Sequence, residues 1–261
     1  MAGMLHGHHA LVTGAGSGIG AAIARRLAAE GARVTLAGRR REPLEAVAGT
    51  MDKERTLVAH GFDVTDPGAI AEGLKTARGA FGPVTLLVNC AGEAPSAPFE
   101  KTGLDMWSRV IAVDLTGVFN VTQACIADLK AHGGGARIIN VASTAGLAGY
   151  AYVSAYCAAK HGVIGLTRAL ALELAKKGVT VNAVCPGFAD TPIVSRAIEE
   201  IVAKSGRTPE EALAEFVKVN PQGRLIQPDE VADTVAWLAS PGAQSINGQA
   251  IAIAGGEVMT G

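Results

Sequence analysis

An excess of charge of either sign is missing from these 261 residues: 23 Lys and Arg stand against 24 Asp and Glu, a net charge of −1. A nearly neutral chain offers nucleic acid no broad electrostatic surface, and that partner class is set aside. No apolar run approaches the roughly 20 residues that span a bilayer, and no charged stretch followed by an apolar one opens the chain. Neither membrane nor export is expected, and the chain reads as cytoplasmic. No Cys-x-x-Cys pair occurs. Cys90, Cys125, Cys157 and Cys185 are widely spaced, as suits reduced thiols filling small gaps in a core. No metal site is expected: His6, His8 and His9 have no cysteine or carboxylate beside them and are assigned to a solvated tail. Low-complexity linkers and shifts of composition are absent as well, which leaves one domain over residues 1–261.

What is present is 49% hydrophobic and 18% charged, rich in glycine, and it alternates short β-branched runs with longer helical patterns. Expected strands are His9 to Thr13, Arg33 to Ala37, Thr56 to Val64, Val84 to Val88, Arg137 to Val141, Val179 to Val184 and Ala250 to Ala254. Helices fill the gaps, the longest over Leu104 to Ala131 and Ser154 to Lys176. Repeated βα units of this kind make a parallel sheet covered on both faces. Between Asp190 and Val219 two short amphipathic helices break the alternation, the second opened by the capping box of Thr208-Pro209-Glu210-Glu211. An excursion there is a candidate lid over the carboxyl ends of the strands, with a structural helical pair as the plainer alternative.

Between the first strand and helix lies TGAGSGIG, with Gly14, Gly18 and Gly20. Glycines there allow a tight turn, close approach of backbone to a pyrophosphate, and close helix packing, with helix N–H groups aimed at the anion. A nicotinamide dinucleotide is therefore expected. The second strand ends at Gly38-Arg39-Arg40-Arg41, where an NAD site usually places a carboxylate for the ribose 2′-hydroxyl. Glycine in its place, followed by Arg39, favours the 2′-phosphate of NADP(H) over NAD(H), with Arg40 or Arg41 in support. Asp63, after the third strand, either receives the adenine amino group or caps the next helix.

The stretch STAGLAGYAYVSAYCAAK carries the chemistry. Tyr156 lies four residues before Lys160, on one helix face, whereas Tyr150 and Tyr152 have no lysine at that spacing. An ammonium beside a phenol favours phenolate and lowers the tyrosine pKa from about 10, as proton transfer to a carbonyl oxygen requires. Ser143, thirteen positions before Tyr156, follows an apolar run. Its hydroxyl can hold the same oxygen from a strand end.

With these residues in order, joined by Asn89-Cys90-Ala91-Gly92, Pro186-Gly187 and Thr191-Pro192, the chain resembles the short-chain dehydrogenase/reductase family from about Leu5 to Gly256. The resemblance implies a doubly wound Rossmann fold of seven mostly parallel strands with a helical substrate lid, assembled as a homotetramer. It implies Tyr156 as proton donor or acceptor, Ser143 orienting the substrate oxygen, and Lys160 on the nicotinamide ribose. Cofactor contacts would come from Gly14, Ser17, Gly18, Ile19 and Gly20, then Arg39, Asp63 and Val64, then Asn89, Ala91 and Gly92. Pro186, Gly187, Ala189 and Thr191 would hold the carboxamide. Two positions depart from the family: Cys90, and Asp114 where asparagine is usual in the long helix before the serine strand. The backbone carbonyl at Asp114 can still hold the family's water next to the lysine, but its carboxylate would favour Lys160 as a cation and disfavour phenolate at Tyr156. The last third, Asn220-Pro221-Gln222-Gly223-Arg224 onward, is similar to 3-oxoacyl-thioester reductases and polyketide ketoreductases. That implies a ketone and secondary alcohol, linked to CoA or an acyl carrier protein. Arg196, Lys204, Arg207 and Lys218 of the lid would meet its phosphate or else form a solvated face. A free alcohol, sugar or cyclic ketone, or a silent cofactor-binding subunit, remain as alternatives.

Overall fold

A computed structural model describes residues 3–259. Its strands are β1 (His9–Thr13), β2 (Arg33–Gly38), β3 (Thr56–His60), β4 (Leu86–Asn89), β5 (Arg137–Val141), β6 (Thr180–Pro186) and β7 (Ala250–Ile253). They form one sheet in the order β3-β2-β1-β4-β5-β6-β7, and all the pairings are parallel. The expected doubly wound sheet is therefore present, and wholly parallel. The chain winds outward from β1 to β3 and then returns to lay β4 against the other side of β1. That reversal opens a crevice at the carboxyl ends of β1 and β4, where this class of sheet takes its ligands.

The connecting helices are α1 (Gly18–Ala29), α2 (Arg41–Ala48), α3 (Pro67–Phe81), α4 (Leu104–Ile111), α5 (Gly117–His132), α6 (Ser154–Leu174), α7 (Pro192–Ser205), α8 (Pro209–Val217) and α9 (Pro228–Ala239). Because strand side chains alternate, β1 sends Ala10 and Val12 to one face and Leu11 to the other. The first face is sealed by Ile23 and Leu27 of α1 and by Val231, Val235 and Leu238 of α9. The second is sealed by Ile70 and Leu74 of α3, Val121, Cys125 and Leu129 of α5, and Leu174 of α6. With both faces covered, the strands read as nearly unbroken apolar runs.

Several expectations are corrected. His9 is not in a tail: it is buried in β1, its ring bonded to the Gly82 carbonyl at 2.8 Å and to the Thr35 hydroxyl at 2.9 Å. His8 likewise bonds Thr85 and sets its ring edge-on to His132. The third strand stops at His60, short of Val64, because Gly61 turns the chain through a φ of 72° and drops Phe62 into the core. Asp63 does not cap α3. Asp66 does, accepting from the amides of Gly68 and Ala69, while Asp63 closes a turn by accepting from the amide and hydroxyl of Thr65. The helix from Leu104 is interrupted by a π turn over Ala112–Thr116, a wide turn that leaves backbone carbonyls less tightly engaged. Asp114 is at its centre. The cysteines are free thiols, Cys125 and Cys185 in the core, Cys90 and Cys157 half-buried.

Candidate active site

The residues singled out from sequence converge on the carboxyl ends of the strands. Thr13 ends β1, and its hydroxyl accepts from the amides of Cys90 and Ala91 at 3.0 and 3.1 Å, tying the glycine-rich loop to the loop after β4. Contact is so close that a Cβ on Gly14, whose φ is 68°, would stand 2.8 Å from the Ala91 Cα. A Cβ on Gly20 would meet the Gly14 carbonyl oxygen at 2.4 Å. Gly18 adopts φ 52° beneath Thr191, so the loop after β6 sits over the start of α1. Ser17, the N-cap of α1, makes no side-chain cap bond, and its hydroxyl is exposed beside the free amides of the first turn, including that of Ile19. This is a cradle for an anion.

At the end of β2, Gly38 is followed by exposed Arg39 and Arg40, and no carboxylate pairs with either among the described residues. Arg41 is engaged by Glu45 and His60. Arg39 faces Asp63, whose carboxyl is held below the usual range chiefly by its bonds from Thr65 and further by the guanidinium. Val64 packs where a Cβ on Gly117 would stand 2.6 Å away. Asn89 turns inward: its amide donates to Thr122 at 3.0 Å and to Asn140 at 2.8 Å, and Asn140 donates in turn to Thr167. Its role is to brace β4, β5 and the helices behind them. Thr13 and Asn89 stand in motifs visible in the sequence, but their bracing partners Thr122, Asn140 and Thr167 do not.

Ser143 follows β5 as the cap of a short helical turn, its Oγ accepting from the Ala145 amide at 3.1 Å. The hydroxyl proton stays free to donate elsewhere. That hydroxyl helps to pull the Tyr156 phenol down, and the Lys160 ammonium stands 5.4 Å from the Tyr156 ring centroid, one turn along α6. Lys160 is buried, donating to the Val141 carbonyl at 3.1 Å. It forms an ion pair with Asp114 at 3.3 Å. Asp114 has no exposed surface and also accepts from the Glu93 amide at 3.2 Å. Gly92 is needed beside it, since a Cβ there would stand 2.6 Å from Asp114 Oδ1.

The expected lowering of the Tyr156 phenol is corrected: burial pushes it up, the Lys160 cation pulls it down without outweighing burial, the Asp114 carboxylate pushes it up again, and it stays above its ordinary value. Burial lowers Lys160, but Tyr156 and Asp114 together outweigh it and leave the ammonium more firmly protonated than usual. Asp114 itself is raised by burial against the pull of Lys160. Its position confirms a carboxylate against the lysine. The lid charges behave otherwise: Lys204 pairs with Glu200, and both Arg207 and Lys218 pair with Glu215. They form a solvated, self-paired face, while Arg196 bonds back to the Pro192 carbonyl.

The family model described as short chain dehydrogenase matches residues 8–201. A putative ketoacyl reductase of Streptomyces coelicolor is 42% identical, covering 95% of both chains. A D-beta-hydroxybutyrate dehydrogenase of Cupriavidus necator is 38% identical over 94% of this chain and 95% of its own. Among solved structures, a variant of actinorhodin polyketide ketoreductase crystallised with NADPH superposes with a TM-score of 0.91 at 38% identity, covering 98% of this chain and 99% of that one.

Proposed function

Because this chain belongs to the short chain dehydrogenase family, as an oxidoreductase acting between ketone and alcohol, we propose that it reduces a 3-oxoacyl thioester with NADPH. The grouping of Ser143, Tyr156 and Lys160 beside the crevice between β1 and β4 carries the reading. The residues fit the dinucleotide: Gly14 and Gly20 leave room that a side chain would fill, and the first turn of α1 offers its amides to the pyrophosphate. Arg39, next to Gly38 and without a carboxylate partner, grips the 2′-phosphate, with Arg40 in reach of the same charge. A bound dinucleotide would have Asp63 and Val64 near its adenine, and Ala189 and Thr191 would hold its carboxamide. Similarity to a ketoreductase crystallised with NADPH supports the same preference.

The bound nicotinamide supplies the hydride for reduction and accepts it in oxidation. Ser143 donates its free hydroxyl proton to the carbonyl oxygen and fixes its place. Tyr156 gives that oxygen a proton as the alcohol forms, and removes it in the reverse direction. Lys160, held cationic by Asp114, keeps the phenol's conjugate base stable and reaches the nicotinamide ribose. Residues 190–219 close over the substrate from Thr191, which already overlies Gly18.

The test is the initial rate with acetoacetyl-CoA, NADPH against NADH, with Tyr156→Phe as blank. NADPH-preferring turnover that vanishes in the variant is expected. A wild type that binds NADPH and leaves acetoacetyl-CoA untouched overturns the thioester assignment. A second substrate, a free 3-hydroxy acid, is favoured by two observations: the lid's basic side chains are paired with their own glutamates, and a hydroxybutyrate dehydrogenase is among the relatives. Acetoacetate reduced faster than its CoA ester would decide for it. Phe99 just before α4, Leu104 and Trp107 on α4 and Phe119 on α5 are exposed, which supports a homo-oligomer. Light scattering at the monomer mass would overturn that.

A further inference from the structure

The loop between Ser143 and Tyr156 carries a second tyrosine whose partner is far away in sequence. The Tyr150 hydroxyl donates to Glu257 Oε1, a residue of the segment after β7. Burial and the carboxyl group push the Tyr150 phenol up to about 12, so it stays a neutral donor. The other oxygen, Glu257 Oε2, is buried without a hydrogen-bond partner. It lies under the loop after β6, where a Cβ on Gly187 would stand 2.6 Å from it. That segment is fixed from below, since the Gly187 amide donates to the Ile253 carbonyl and the Glu257 amide to the Ala254 carbonyl. The ring of Tyr150 meets Phe188 edge-on at 6.2 Å, and Phe188 meets Phe216 of α8 at 4.9 Å.

Four segments thus meet at one hydrogen bond: the loop bearing Ser143, the loop of Pro186 to Thr191, the helix α8, and the chain after β7. We propose that Tyr150 and Glu257 are a positioning pair that sets the separation of the Ser143 loop from the Gly187–Phe188 loop, and so the width of the ketone site between them. Neither touches the reacting atoms. The pair acts on Ser143 along the short loop that joins it to Tyr150, and through Gly187 and Phe188 on the opposite wall. One oxygen of this half-buried acid is enclosed without a partner, an arrangement that is costly to a fold.

The inference rests on the reductase reading, so its test has one arm that needs no turnover. In hydrogen exchange on the protein alone, Tyr150→Phe and Glu257→Ala are each expected to raise exchange over residues 144–152 and 186–191 while leaving β1 and β5 unchanged. Unchanged loops overturn the pair whether or not the protein reduces acetoacetyl-CoA. In the kinetic arm, each variant raises the KM for the ketone five- to twentyfold, with kcat within threefold and the NADPH dissociation constant within twofold. Glu257→Gln, whose amide oxygen still accepts from Tyr150, restores KM to within threefold of wild type. The double variant is no worse than either single one, as for two ends of one interaction. Additive effects, equal loss of NADPH affinity, or Glu257→Gln as damaging as Glu257→Ala would overturn the proposal. No turnover by the wild type sinks the catalytic reading alone, and the exchange arm still decides the pair.

Discussion

Replacing Asp114 by Asn removes one buried charge and little else. The Lys160 ammonium stands 3.3 Å from the carboxylate, and at an effective dielectric of about 20 such a pair interacts by about 5 kcal/mol before desolvation is counted. The same charge acts on the phenolate of Tyr156 from farther away; at a separation on the order of 8 Å the repulsion is about 2 kcal/mol. Neutralising Asp114 relieves that repulsion while weakening the hold on the Lys160 proton, and the second effect offsets part of the first. The direction is set by Lys160: Tyr156, which raises its pKa alongside Asp114, remains in the variant to oppose burial, and the ammonium is expected to keep its proton. The apparent pKa for alcohol oxidation, in which activity rises as Tyr156 loses its proton, should therefore fall by about one unit, or about 1.4 kcal/mol. The assay is kcat/KM for 3-hydroxybutyryl-CoA and NADP⁺ from about pH 7 to 11, a span that reaches past the ordinary phenol value because burial holds Tyr156 above it. Asparagine keeps an oxygen for the Glu93 amide, which now bonds Asp114 at 3.2 Å, so the thermal midpoint serves as a control and should not drop. An unchanged profile would refute the electrostatic reasoning. A profile moved upward would mean that Lys160 had lost its proton.

Three other substitutions test the cofactor cradle and the core. Arg39→Ala should raise the KM for NADPH by about 10- to 100-fold, the loss of charge-assisted hydrogen bonds to one phosphate, and leave the KM for NADH nearly unchanged; equal effects on both would dismiss the 2′-phosphate contact. Gly14→Ala places a methyl 2.8 Å from the Ala91 Cα at φ 68°, so denaturant titration should show a loss of about 2 kcal/mol or more, with dinucleotide binding lost as well. Arg137 is buried with its Nε unpaired and no carboxylate partner among the described residues. Arg137→Met should be neutral or stabilising by about 1 kcal/mol, and a large fall in thermal midpoint would mean that the guanidinium has a partner in the assembled protein.

What could be read from the sequence were features whose cause is local. A glycine at position 14 or 20 answers to the backbone a few atoms away, and Tyr156 and Lys160 share a face because a helix turn brings them together. Thr208 and Glu211 close their capping box within four residues. Features decided by distant partners were not legible. His9 looked like part of a polar terminus, yet its ring is satisfied by Gly82 and Thr35 across the sheet edge. Asp63 looked able to cap the next helix, but the turn at Gly61 and the placement of Phe62 leave that place to Asp66. The basic residues of α7 and α8 invited a phosphate until their neighbours Glu200 and Glu215 were seen to hold them. Asp114 lay between these cases. Its type was visible as a departure, but that its charge meets Lys160 depends on the π turn at Ala112–Thr116, which no propensity of Ala-Val-Asp-Leu-Thr announces. The same division holds for Tyr150: its nearness to Ser143 is local, whereas Glu257 is 107 positions away. The residues that perform proton transfer are thus written in a short motif, while those that tune and position them are supplied by the tertiary fold. Variation among relatives in pH response and substrate fit is accordingly expected at positions such as 114, 150 and 257 rather than at 143, 156 and 160.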